Sequence, residues 1–250
     1  MTKRRQIFGA GSEALVAIGA YLAYSAARVF VEGGESSAIN HAFHLVSIEQ
    51  TFGLFHEESV QRFVEAHPWL LALMEWTYLW AYLPILVVAG VIIYFKDAPL
   101  YRSYRTTMFV SAAIGLLIFA VVPVAPPRML PEYGFLDPLH TTLTSTSGAK
   151  NDFAAVPSFH FAFTMLAAIG VAHAYRWRRW LCVVLAALPA VMLLSIVSTA
   201  NHFFLDAAAG AVVVMGMWWV FVWRGYEGRR RGDVDPSDEA PSRLVAMMPR

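Results

Sequence analysis

Residues 176–206 read RWRRWLCVVLAALPAVMLLSIVSTANHFFLD, and this stretch decides the fold. Arg176, Arg178 and Arg179 form a basic cluster, followed by an almost wholly apolar run from Trp180 to Val197. Asn201, His202 and Asp206 lie just beyond its far end. A helix needs about 17–25 apolar residues to cross a hydrocarbon core of about 30 Å, and this run is of that order. Cations on one side and ionisable groups on the other give it a direction.

Five further stretches have the same character: Ile7 to Val31, Pro68 to Phe95, Thr106 to Val124, Ala154 to Tyr175 and Phe203 to Trp223. The whole chain of 250 residues is 58% apolar and only 15% charged. Soluble domains carry about 45–50% and about 25% respectively, so a water-soluble enzyme is excluded. The expected fold is therefore an all-α polytopic membrane protein with six transmembrane helices. The first run is preceded by Lys3, Arg4 and Arg5, contains Glu13 and is long, so it reads as a retained anchor and not a cleaved signal.

Cationic residues orient the spans, because cytoplasmic loops are enriched in lysine and arginine. With both termini cytoplasmic, 15 of the 19 Lys and Arg fall inside, leaving Arg28, Arg62, Arg128 and Lys150 outside. The net charge of +1 thus hides a basic inner face and an acidic outer one. The expected location is the plasma (inner) membrane, with the site facing the extracytoplasmic side. The only basic block is a short C-terminal run, which argues against a nucleic-acid partner. A single cysteine, Cys182, excludes an internal disulfide framework and a cysteine zinc site. The organisation expected is a membrane domain over 1–224, with an outer amphipathic segment at 32–67 and an outer loop at 125–153, then a disordered cytoplasmic tail at 225–250.

Ionisable groups at membrane depth cost about 2.5–3.5 kcal/mol on insertion scales, so each needs a reason. His202 and Asp206 are four residues apart, which on a helix brings both to one face. An aspartate there can fix one ring nitrogen and leave the other as a nucleophile, although a purely structural pair has the same spacing. Pro157, Ser158 and His160 open the fourth run at the same outer face, with Pro157 expected in the first helical turn. A helix start with a serine hydroxyl is a natural anion site. Arg128 follows Pro126 and Pro127 at the outer end of the third run, where a guanidinium grips either a substrate phosphate or a lipid headgroup.

The sequences Pro157-Ser158-Phe159-His160 and His202-x-x-x-Asp206 resemble two signatures of the type-2 phosphatidate phosphatase superfamily. Residues 151–160, the segment Ala125-Pro126-Pro127-Arg128 and Thr199-Ala200-Asn201-His202 resemble more narrowly the branch containing inositol phosphorylceramide synthase, the aureobasidin-resistance or inositolphosphotransferase branch. The resemblance implies that His202 attacks phosphorus to form a phosphohistidine while Asp206 orients it. It implies that His160 protonates the departing alcohol and then activates water or an acceptor alcohol. Arg128 and Ser158, with Lys150 and Asn151 from the adjoining loop, are the implied phosphate ligands. The substrate implied is a lipid phosphate or phospholipid, with no metal and no cofactor. Two superfamily positions depart from the pattern: Val121 stands where a lysine is expected seven residues before Arg128, and Ile196 stands where an arginine follows Ser195. Met129 follows Arg128 in place of a proline. These departures favour the phosphotransferase-like branch.

Competing readings use the same residues less fully. A non-enzymatic lipid carrier or scramblase needs a polar path, whereas the ionisable residues gather at one face. A haem protein using His160 and His202 as axial ligands leaves Asp206, Ser158 and Arg128 without roles. His41 and His44 read as interfacial histidines and not metal ligands, and Glu75 as an interfacial glutamate within the second run.

Overall fold

The computed structural model describes residues 3–31, 33–139 and 152–232. Helices dominate: α1 is Lys3–Phe30, α2 Glu35–Thr51 and α3 Glu57–Glu65. Next come α4 (Pro68–Trp76), a π-helical turn (Thr77–Ala81) and α5 (Tyr82–Lys96), which run on as one 29-residue rod. After them come α6 (Ala98–Val121), α7 (Phe159–Ala174), α8 (Arg179–Ser198) and α9 (Phe204–Gly232). Four rods are long and apolar enough to cross a membrane: Pro68–Lys96, Ala98–Val121, Arg179–Ser198 and Phe204–Val222. The first and fourth expected runs correspond to α1, with 28 residues, and to α7, with 16.

The shortness of α7 has a physical reason. It is the central helix, packed against α5, α6, α8 and α9. Eleven of its 16 residues are buried, among them Phe163, Leu166, Ala167 and Val171, so its apolar faces meet protein instead of lipid. Its start also differs from expectation: Ser158 is the N-cap, with extended backbone, and Pro157 lies before the helix instead of in its first turn.

Chain reversals are short where local chemistry terminates a helix. Asp97 alone separates α5 from α6, its carboxylate accepting the Leu100 N–H at 3.0 Å and capping the new helix. Helix α9 continues through Gly232, past Arg224.

Residues 32–67 were expected to lie along the membrane surface, and they do form two helices, α2 and α3. The apolar stripe of α2, Ala38, Ala42 and Val46, packs onto Val124, Ala125, Leu130, Phe135, Ala155, Ala200 and Phe203. This second core covers the loops at one end of the bundle. His41 Nδ1 sits 2.7 Å from the Pro123 carbonyl, so it fastens α2 to the third-run exit.

Candidate active site

Three separate segments meet beneath α2, and backbone hydrogen bonds hold them in register. Val124 donates to the Phe153 carbonyl at 2.9 Å, and Ala155 donates back to Val124 at 3.3 Å. Arg128 N–H donates to the Ala200 carbonyl at 2.9 Å, and Ser158 N–H to the Asp206 carbonyl at 2.9 Å. The stretches around Arg128, Ser158 and His202 are thus locked to one another before any side chain acts. Such pairing is required in any case, since buried amides and carbonyls need partners.

His202 and Asp206 do meet, by a route other than a shared helical face. Helix α9 begins at Phe204, so His202 precedes it and Asp206 occupies its first turn. Asp206 Oδ2 accepts the Phe203 N–H at 2.8 Å, the reach-back of a capping box. The same oxygen lies 3.4 Å from His202 Nδ1. The nearer partner of Nδ1 is the Ala155 carbonyl, at 2.9 Å. Because a carbonyl can only accept, Nδ1 carries the proton and Nε2 keeps its lone pair. Burial pushes the imidazole down to about 3; the Ala155 hydrogen bond opposes this shift and the positive charges of Arg128 and Arg28 add to it. At neutral pH the ring is a neutral imidazole with a fixed tautomer.

His160 stands in the first turn of α7, with its ring centroid 5.9 Å from that of His202. Two tyrosines hold it: Tyr78 stacks at 4.6 Å and Tyr82 lies at 4.4 Å. Tyr78 comes from the π-helical turn, a local irregularity of a kind frequent at functional sites.

Arg128 is nearly buried, with its side chain 10% exposed. Its guanidinium donates to Asn201 Oδ1 at 2.6 Å and to Asp152 Oδ1 at 3.0 Å. Asp137 Oδ2 lies 3.9 Å from Nε. Ser158 is fully buried, and its hydroxyl has no hydrogen-bond partner among the described residues. Lys150 and Asn151 lie outside the described residues.

Arg128, Asp152, His160, Asn201 and His202 open into one cavity of about 980 Å³. Arg28, from the last turn of α1, lines the same cavity. Sequence reasoning placed Arg28 at the outer face without giving it a role. Beneath α9, Glu49 and Glu57 are completely buried, and neither was singled out from sequence. Glu75 does not line the cavity. Among the described residues no group of three or more His, Cys, Asp or Glu is placed to hold a metal ion.

At the start of this site, a neutral imidazole with a free Nε2 faces a second imidazole and two guanidinium groups. That set can place a nucleophile, a proton carrier and fixed positive charge around a tetrahedral phosphate. A family model described as the PAP2 superfamily matches residues 44–220. No curated protein and no solved structure matches the chain.

Proposed function

The chain belongs to the PAP2 superfamily, and from that premise we propose that it is an integral membrane enzyme that transfers or hydrolyses the phosphoryl group of a lipid phosphate through a phosphohistidine. The observation that carries this reading is the His202 tautomer: Nδ1–H is spent on Ala155, leaving Nε2 as the free base in a cavity shared with His160 and Arg128.

In the first step Nε2 of His202 forms a bond to phosphorus while the bond from phosphorus to the lipid oxygen breaks. His160 gives its proton to that departing oxygen. Asp206, 3.4 Å from Nδ1, compensates the positive charge that the ring acquires. In the second step His160 takes the proton of water or of an acceptor alcohol, whose oxygen displaces the histidine nitrogen. Arg128 and Arg28, which line the cavity, stabilise the non-bridging oxygens, and Ser158, buried between the lining residues Pro157 and Phe159 with an unpartnered hydroxyl, is assigned as a further donor. Lys150 and Asn151 complete the phosphate cradle in this reading. With this cationic set the reaction needs no metal.

An alcohol acceptor, as in the inositolphosphotransferase-like branch, is supported by Ile196. Where the phosphatase pattern carries an arginine, this chain places a fully buried apolar side chain in a cluster with Met192 and Val197. The reading has six spans with cytoplasmic termini and the site at the extracytoplasmic face, supported by the charge asymmetry of the loops.

The test uses purified protein, a lipid phosphate labelled on phosphorus, and chelator, with and without inositol or diacylglycerol. Quenching in alkaline detergent is expected to trap a phosphoprotein that is stable to alkali and labile to acid, and that His202→Ala lacks. Free phosphate identifies a phosphatase, and a new phosphomonoester of the acceptor alcohol identifies a transferase. Full turnover by both His202→Ala and His160→Ala would overturn the mechanism.

A further inference from the structure

The cavity that holds the catalytic groups does not end with them. From Arg128 and His202 it continues between α1, α5 and α6 to a distant floor at Glu13, Tyr94, Tyr101 and Arg105. Three helices measure its depth independently. Its lining runs from Tyr78 to Phe95 along the α4–α5 rod, from Glu13 to Arg28 on α1, and from Tyr101 to Phe119 on α6. At 1.5 Å of rise per residue these are depths of about 25, about 22 and about 27 Å. One leaflet of the hydrocarbon core is only about 15 Å deep.

The walls between the two ends are apolar. Ala17, Leu83, Leu86, Val87, Met108 and Ala112 face the space, with no ionisable lining group between Arg28 at one end and Glu13 at the other except tyrosines. The far end is closed by polar and aromatic contacts: Arg105 pairs with Glu13, and the Tyr94 and Tyr101 rings meet edge to face at 5.1 Å. An ion pair marks that end, since charges at membrane depth are held by each other and not by lipid.

We propose that this cavity is the binding site for the substrate's hydrocarbon chain, and that it selects lipid phosphates whose chain is longer than one leaflet. The proposal rests on the lipid-phosphate reading given above. A chain attached to a phosphate at Arg128 enters the apolar section at once and has about 25 Å to fill before the Glu13–Arg105 floor. A chain that reaches only one leaflet leaves the lower part of the apolar wall without contacts, so it forfeits that share of burial. Helix α1 is therefore a wall of the substrate site, although it lies before the region matched by the family model.

Gly90 allows a direct test. It lines the cavity twelve residues after Tyr78, about 18 Å down the rod, and a Cβ there meets nothing closer than 3.8 Å. A leucine at this point fits the helix and plugs the lower part. Two lipid phosphates are compared, one with a chain reaching about 15 Å and one about 25 Å. For the wild type, kcat/KM is expected to favour the longer chain about tenfold or more. In Gly90→Leu that ratio is expected to fall to near one. A long-chain lipid phosphate with a photoreactive diazirine at its far end is then irradiated with His202→Ala, which blocks turnover. Its label is expected at Tyr94, Tyr101 and neighbours of the floor.

A ratio near one in the wild type, a ratio unaltered by Gly90→Leu, or label on outward-facing Val88 and Val212 would each overturn the chain-site proposal. Label at the floor in a protein whose wild type turns over neither lipid would uphold the chain site and refute the catalytic reading.

Discussion

Glu49 and Glu57 are buried together at the start of α9, both completely shielded from solvent. The pair reaches α9 from far away in the chain: Glu57 Oε1 accepts the Phe204 N–H and Glu49 Oε1 the Leu205 N–H, each at 2.9 Å. Burial disfavours the charged form of a carboxyl group, and a second carboxylate nearby disfavours it further. Burial first, then the neighbouring Glu57, pushes Glu49 up to about 9, with the Leu205 amide acting against it. The native state therefore binds a proton that the unfolded chain releases near its ordinary value of 4.5. Stability from this group is complete below about 4.5 and declines as pH rises through about 9. Glu49→Gln keeps an acceptor for Leu205 without the titration. Thermal unfolding at pH 5 and pH 9 is expected to show the wild type losing several degrees relative to Glu49→Gln at the higher pH, at roughly 2–4 °C per kcal/mol. A constant difference between the two proteins across that range would show that Glu49 does not take up its proton on folding.

Asp206 does two jobs that separate variants can divide. Its Oδ2 caps the Phe203 amide at 2.8 Å and faces His202 Nδ1 at 3.4 Å. Asp206→Asn retains an oxygen for the cap and loses the charge. Its kcat is expected to fall about 10²–10⁴-fold with little change in melting temperature. Asp206→Ala loses the cap as well, costing about 1 kcal/mol of stability in addition to the same loss of rate. Equal rates for wild type and Asp206→Asn would show that Ala155 alone orients the histidine.

Arg128 and Arg28 are probed by separate substitutions, because Arg128 is held by the Asp152 carboxylate, with Asp137 close by. Phosphate must compete with Asp152, whose side chain is 48% exposed and free to swing outward. Asp152→Asn is expected to lower KM severalfold by removing that competitor. Arg28→Gln removes a charge-assisted contact of about 1.5–3 kcal/mol, so kcat/KM is expected to fall about tenfold to a hundredfold. Steady-state kinetics on one lipid phosphate decides both. An unchanged KM in Asp152→Asn would mean that the Arg128–Asp152 pair persists when phosphate binds.

The periodic and compositional features of this chain were readable because lipid solvation demands them: long apolar runs, cations to one side, and scarce ionisable groups. His160, His202 and Asp206 stood out for that reason, and the structure brings them together. Asp206 meets His202 through a capping box, which four-residue spacing alone could not distinguish from a shared helical face. What the sequence hid depends on contacts between distant segments. Glu49 and Glu57 read as the polar side of amphipathic helices, yet they face inward because α9 presents unpaired amides to them. Arg28 read as one of several outer cations, and only the packing of α1 beside α5 and α6 puts it in the cavity. The carbonyl of Ala155 carries no side-chain signal at all.

Gly210 tests whether the site depends on the spacing of two helices. It lies on α9 one turn beyond Asp206, where α9 crosses the start of α7. A Cβ added there would stand 2.4 Å from the Ser158 carbonyl oxygen and 3.1 Å from Ala162 Cβ. The nearer obstacle is backbone, which has no rotamer to yield, so α9 must move away from α7. That motion stretches the Ser158 N–H to Asp206 carbonyl bond, now 2.9 Å, and draws His202 away from His160. Gly210→Ala gains helix propensity worth about 1 kcal/mol but incurs an overpacking cost of about 1–3 kcal/mol. The expected result is a modest net loss of stability with a much larger loss of kcat, since displacements of about 1 Å can cost about 10²-fold in rate. Gly216→Ala is the control on the same helix, because its Cβ meets nothing within 4 Å. Its kcat is expected to match the wild type; if Gly210→Ala matches it too, close packing of α9 on α7 is not what aligns the two histidines.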